Sequence, residues 1–277
     1  MNGDGTSLSD GSLHYGRAGI DRLYARIWGD SIHFGIYETP ATSLEAAVVE
    51  SKRLLSAMAE LAPGKHVLEV ASGWGATARY LARAHGVRVT ASNHEADHLI
   101  TCRTLAMLHG LDSRINCTWA DFQALPFADA AFDVWWCQEA IVHAQDKAAL
   151  FAEAYRVLRP GGRIVFSDQT TERDLCSRAV RDRLSARHGS GDLFSAAQFM
   201  SALGATGFTG LHCIDRSAHM GRHFANLVQR MDDTMDVLCA DFSEAQVRAN
   251  HALWNLGLSL SESGAIGWHF FYAEKPG

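Results

Sequence analysis

Residues 66–77 read His-Val-Leu-Glu-Val-Ala-Ser-Gly-Trp-Gly-Ala-Thr, and no other stretch narrows the fold as far. A short apolar run ends at Glu69, a turn carrying Gly73 and Gly75 follows, and an amphipathic stretch continues through Arg83. That order predicts a buried parallel strand passing through a tight loop into a helix. Such a loop offers backbone N–H groups and a helix N-terminus to a ligand. The spacing is Glu-x-Ala-x-Gly-x-Gly, which differs from the Gly-x-Gly-x-x-Gly of a dinucleotide site.

Apolar strand patterns recur at 66–70, 88–92, 115–119, 132–136 and 163–168, with helical periodicity at 76–84, 95–109 and 146–157 between them. Alternation of this kind predicts a parallel sheet covered by helices on both faces. The rhythm then changes: a charged helix at 172–188, a helix at 195–204 with Ser195 as its N-cap, and a sixth strand at 208–214. Two or more helices follow over 216–260, and a last strand lies at 267–274. Residues 20–61 read as helical, broken at Trp28-Gly29 and Thr39-Pro40. The expectation is an α/β, doubly wound, Rossmann-like sheet of seven mostly parallel strands. Three parts are expected: an N-terminal tail and helical segment (1–65), a ligand-binding core (66–168), and the rest of the sheet with an inserted helical lid (169–277). Ligands of such sheets collect beyond the carboxyl ends of the strands, where the added helices would form a roof.

A formal charge of −6 gives no basic field for nucleic acid or an anionic membrane. No apolar run approaches membrane-spanning length, and residues 1–11 lack the basic and apolar regions of a signal peptide. The six cysteines are scattered, with no Cys-x-x-Cys pair, as expected of reduced thiols in a cytoplasm. The expected partner is a small molecule, bound by a monomer or homodimer.

The turn at Glu69–Gly75 resembles the first motif of the class I S-adenosylmethionine (SAM) methyltransferases, with Ala71 where that family usually has its first glycine. The second strand ends Thr90-Ala91-Ser92-Asn93, placing Asn93 where many members bind the ribose with an acid. Trp119-Ala120-Asp121-Phe122 is similar to the family's adenine segment. The resemblance implies that Asp121 accepts from the adenine amino group and that the Phe122 N–H reaches the ring. Phe132-Asp133-Val134-Trp135-Trp136 and Leu158-Arg159-Pro160-Gly161-Gly162 look like the fourth strand and the turn before the fifth. The implied cofactor is SAM, leaving as S-adenosylhomocysteine, held by Glu69, Ala71, Gly73, Gly75, Asn93, Asp121, Phe122, Gln138 and Trp28.

Outside the core, residues 23–37 and 138–147 resemble the sarcosine/dimethylglycine N-methyltransferases. The resemblance implies methyl transfer to the nitrogen of a small amine or amino acid, sarcosine/dimethylglycine-like or histidine/thiohistidine-like. An amine must reach the methyl unprotonated, and histidine titrates in the useful range. Of the fourteen histidines, His143 is the expected catalytic base, since it follows the fourth strand where the crevice opens. His33, His143, Trp74, Arg187, His188 and His223 are the expected acceptor contacts. An acceptor with a carboxylate calls for an arginine clamp from Arg178, Arg181, Arg187, Arg216 or Arg222. His219 and His223 form a four-residue pair without a third ligand, so no metal is expected. Transfer to oxygen or carbon, and binding of SAM without catalysis, are the rival readings. A nicotinamide dehydrogenase is disfavoured by the glycine spacing and Asn93. A base-methylating enzyme is disfavoured by Cys137-Gln138-Glu139-Ala140 in place of an Asn/Asp-Pro-Pro-Tyr motif.

Overall fold

The computed structural model describes residues 18–172, 175–189 and 193–277; the expected tail at 1–11 lies outside them. Helices α1 (Ala18–Trp28) and α2 (Leu44–Met58) precede the first strand. The core then runs β1 (His66–Glu69), α3 (Ala76–His85), β2 (Arg88–Asn93), α4 (Ala96–Leu108), β3 (Ile115–Trp119), β4 (Phe132–Gln138), α5 (Lys147–Val157) and β5 (Leu158–Thr171). It ends with α6 (Arg178–His188), α7 (Ala196–Thr206), β6 (Thr209–Asp215), α8 (Ser217–Asp241), α9 (Glu244–Glu262) and β7 (Ile266–Glu274).

Seven strands form one sheet in the order β3-β2-β1-β4-β5-β7-β6. Strands β1 to β5 pair in parallel, and β7 runs antiparallel between β5 and β6. The order reverses between β1 and β2 on one side and β4 on the other, which opens the crevice where ligands bind in such sheets. Neighbouring side chains on β4 point to opposite faces. Trp136 joins the core under α1, α2, α3, α8 and α9, and Trp135 joins the core under α5 and α7; both are fully buried. Burial on both faces explains why β4 reads as an unbroken apolar run.

Local chemistry sets the helix ends. Asp146 and Ser195 cap α5 and α7 through side-chain oxygens, and Ser195 forms a reciprocal capping box with Gln198. Helix α3 has Gly75 at its N-cap, with no side chain to offer; the buried Glu69 carboxylate accepts from the Ala78 N–H instead. Two expectations shift. The charged helix of the lid begins at Arg178, not at 172. The Arg159-Pro160-Gly161-Gly162 stretch is not a turn ahead of β5 but an irregularity within it. Phe132 pairs with Leu158 and Val134 with Arg163, because Pro160 lacks an N–H and Gly161 turns to a φ of 73°.

Among the described residues no helix is long and apolar enough to cross a membrane. All six cysteines are free, and the Cys102 and Cys117 thiols meet at 3.1 Å. A Cβ on Gly75 would lie 2.3 Å from Cys102 Sγ, and its φ is +73°. Both constraints oppose a side chain there. Gly75→Ala should therefore cost about 2 kcal/mol or more of unfolding free energy, read by urea denaturation of the two proteins side by side.

Candidate active site

Beyond the carboxyl ends of β1, β2, β4 and β5 lies a cavity of about 800 Å³. The turn after β1 lines it with Ala71, Ser72, Gly73 and Trp74. This turn is closed by Gly75 N–H donating to Ser72 O at 2.9 Å, and tied to β2 by Ser72 N–H donating to Ser92 O at 2.9 Å. Ala71 sits at a φ of +52°, a left-handed conformation that costs a residue with a Cβ on the order of 1–2 kcal/mol. The family's usual glycine would avoid that strain, so Ala71 costs more than the added methyl group.

Asn93, fully inside at the end of β2, accepts from the Glu95 N–H at 3.0 Å and has its amide nitrogen 3.4 Å from His98 Nδ1. His98 in turn meets Asp21 at 3.0 Å, which ties α4 to α1. Asp121 lies on the open side of the cavity with Phe122, and its Oδ1 accepts from the Gln123 N–H at 2.8 Å. At the end of β4, Gln138 accepts from Thr77 at 3.1 Å and Trp136 at 3.3 Å. Its amide nitrogen has no partner among the described residues, so an acceptor on a ligand would satisfy it. Arg79, almost fully buried, grips both oxygens of Asp30 at 2.8 and 2.7 Å and donates to Trp74 O at 2.6 Å. This joint fixes the segment after α1 to the turn after β1 and sets Trp28, Ser31 and His33 over the crevice.

Glu139 is the most constrained side chain of the site. Its Oε1 accepts from Ser167 on β5 and from Trp268 Nε1 on β7 at 2.9 Å, and its Oε2 lies 2.8 Å from His33 Nδ1. A carboxylate with this set of donors accepts from Nδ1–H, which leaves the lone pair of His33 on Nε2. Glu139 also holds a φ of +50°, strain of the kind that collects at functional sites. Asp168, with no exposed surface, accepts from the backbone N–H of Val142 at 3.1 Å and of Gln169 at 2.7 Å. Burial first, and then the Glu139 charge, push its carboxyl up to about 7. His143 stands on the exposed rim and donates Nδ1–H to His188 O at 2.8 Å, the two rings 5.2 Å apart.

The cavity thus gathers Trp28, His33, Ala71, Gly73, Trp74, Asn93, Asp121, Phe122, Gln138, His143 and His188 from the sequence reading. Glu69, Gly75 and His223 are not on its wall. Glu69 lies beneath it, raised to about 8 by burial despite Lys52, which burial lowers to about 8. Gly75 answers to Cys102, as described. His223 is fully buried among Trp28, Phe34 and Tyr37; its Nδ1 lies 3.2 Å from the Gly35 N–H and 2.9 Å from the Tyr37 hydroxyl. Burial drops its pKa to about 3, so it stays neutral. The Arg187 side chain lies outside the described residues. Arg178 pairs with Asp182 on the surface, Arg181 donates to Cys176 O, Arg216 lies over Phe270, and Arg222 donates to Pro40 O. None of these four reaches the cavity.

Sequence reasoning passed over Glu139, Asp168, Asp30 and Tyr24 as site residues. The order of β4 and β5 could have found the first two, since Glu139 directly follows β4 and Asp168 lies in the carboxyl-terminal part of β5, near the switch point. The described wall carries five acidic side chains, Asp30, Glu95, Asp121, Glu139 and Asp168, and neither lysine nor arginine. Such a wall fits SAM, a ligand with a sulfonium, an ammonium, and hydroxyl and amino groups to be accepted.

The doubly wound sheet, the turn after β1 and this acid-lined crevice define a class I SAM-dependent methyltransferase. A methyltransferase-domain family matches residues 68–166. A dimethylglycine N-methyltransferase of Parasynechococcus marenigrum (strain WH8102) is 30% identical over 276 residues, covering 96% of this chain and 95% of the relative. A sarcosine/dimethylglycine N-methyltransferase of Aphanothece halophytica is 27% identical over 265 residues, covering 95% of each. A solved structure from Galdieria sulphuraria, provisionally assigned as a sarcosine dimethylglycine methyltransferase, superposes with a TM-score of 0.86 at 23% identity, over 95% of this chain and 99% of the other. The chain belongs to the SAM-dependent methyltransferases and, over nearly its whole length, is similar to their sarcosine/dimethylglycine N-methyltransferase group. It is an enzyme whose cofactor is SAM.

Two outcomes check this geometry. Asp121→Ala should weaken SAM binding at least tenfold, measured by calorimetry, because the resemblance implies a charge-assisted hydrogen bond from the adenine amino group to this carboxylate. Asp168 holds its proton more tightly folded than unfolded, so its contribution to stability is full below about pH 4 and is lost as pH rises to 7. Asp168→Asn lacks this dependence. Its melting temperature relative to the parent should rise by about 3 °C or more between pH 4.5 and pH 7.5, read by thermal scans at both values.

Proposed function

We propose that the enzyme transfers the SAM methyl group to the nitrogen of a small amine or amino-acid metabolite. The pairing of His33 with Glu139 beside the buried Asp168 carries this reading. The sarcosine and dimethylglycine methyltransferases to which the chain is similar support it.

SAM would be held by the turn at Ala71–Trp74, by Asn93, by Asp121 with the Phe122 N–H, and by Gln138. When bound it supplies a methyl group already activated by its sulfonium. The protein then has three tasks: to align the acceptor, to free its lone pair and to keep water out. Glu139 and Asp168 draw a cationic amine to the ends of β4 and β5. His33 Nε2 takes the ammonium proton, Glu139 holding the ring by Nδ1–H in the tautomer that can accept it. Bound SAM would supply the methyl carbon to the freed nitrogen lone pair, its sulfur keeping both electrons of the broken C–S bond. Trp28 and Trp74 are among the aromatic rings of the cavity wall that the positive charge would meet. His143, the base expected from sequence, stands on the rim with Nδ1–H committed to a backbone carbonyl; its Nε2 is the second candidate for the proton.

Acceptor amines incubated with SAM and the enzyme should gain 14 mass units per transfer. Methylation of a phenol or carbon acid, with none of any amine, would overturn the reading. His33→Gln should lower kcat on the amine by about 10²-fold or more while SAM affinity holds. A loss confined to His143→Gln would move the base to the rim.

A further inference from the structure

One wall of the cavity is unexplained by the cofactor's chemistry. Helix α9 presents Leu253, Leu256 and Leu260 to it, at the spacing of one helix face. Seven residues of helix at 1.5 Å each make this stripe about 10 Å long. Phe224 of α8, Leu184 of α6 and Ile266 of β7 continue it. Ile266 pairs with Thr171, so this end of the stripe stands at the carboxyl end of β5, in the same cavity that Asp168 and Gln169 line. At Gly257 a Cβ would come within 2.7 Å of the Phe224 ring, and the glycine lets α9 and α8 close the roof. A single amino-acid residue such as sarcosine spans about 3.6 Å of backbone. It would meet only part of this wall, where Leu256 and Leu260 keep partly exposed surface while Leu253, Phe224, Leu184 and Ile266 are already packed into the core behind them.

We propose that the acceptor is an amine carrying an extended apolar group. The nitrogen lies at Glu139 and Asp168, and the apolar body lies along Leu253, Leu256 and Leu260. This inference rests on the N-methylation reading and narrows it. The long apolar wall selects the body and the acids select the charged end, a division common to small-molecule pockets.

The test compares kcat/KM for sarcosine and dimethylglycine with that for N-methylphenethylamine and N-methyltryptamine, all with saturating SAM. The apolar amines should be used at least tenfold more efficiently. Equal or better use of sarcosine or dimethylglycine would overturn the inference and leave N-methylation standing. Turnover of no amine would overturn both. In the double variant Leu256→Asn/Leu260→Asn, the KM for the better apolar amine should rise about tenfold. SAM affinity measured on the same sample reports that the variant is folded. An unchanged KM would place the acceptor elsewhere and overturn the proposal.

Discussion

The Glu139 carboxylate is where distant parts of the chain are made to agree. It leaves the end of β4 in a left-handed backbone conformation and is gripped from three directions. Ser167 approaches from β5, Trp268 from β7, and His33 from the loop between α1 and α2. Each donor lies in a different segment, so the carboxylate is satisfied only when the N-terminal helices and the antiparallel strand are both docked. Removing one donor would leave a largely buried acid short of a partner, which costs more than the hydrogen bond itself contributes. The strain at Glu139 is thus held in place by the assembled sheet.

A second joint does the same for the cofactor side. Arg79 projects from α3 to Asp30 and to the Trp74 carbonyl. One guanidinium nitrogen, Nη2, meets both Asp30 oxygens while Nη1 donates to the Trp74 carbonyl, so one side chain ties the N-terminal segment to the turn after β1. The proposed acceptor contact at His33 and the proposed cofactor contacts at Ala71–Trp74 are therefore positioned against each other before either ligand arrives. In-line displacement depends on such alignment more than on any added reactivity.

Much of this was legible in the sequence because it is local. The apolar runs of β1 to β5, the Ser195 cap and the turn at Glu69–Gly75 depend on neighbours within a few residues. Asp121 and Gln138 could be placed from motif order alone. Long-range partners could not: nothing near Gly75 reveals that Cys102 fills the space beside it. Nothing near His223 shows that it packs against Trp28 rather than a ligand. Glu139 reads as one acid among many until Trp268, 129 residues later, is brought to it by β7. Helices over 216–260 were expected, but that Leu253, Leu256 and Leu260 of α9 face a cavity is a fact of tertiary packing.

The placement of β7 also bears on the order in which a nascent chain can complete its working parts. The strands and turns proposed to hold SAM are all synthesised by residue 138, whereas a domain folds as a unit. The acceptor end waits for the last dozen residues, because Ile266 and Trp268 belong to the final strand and it must insert between two strands already made. The residues of the cofactor crevice and those that close the acceptor end are thus separated by nearly half the chain, and the sheet is complete only when the late strand has joined the early ones.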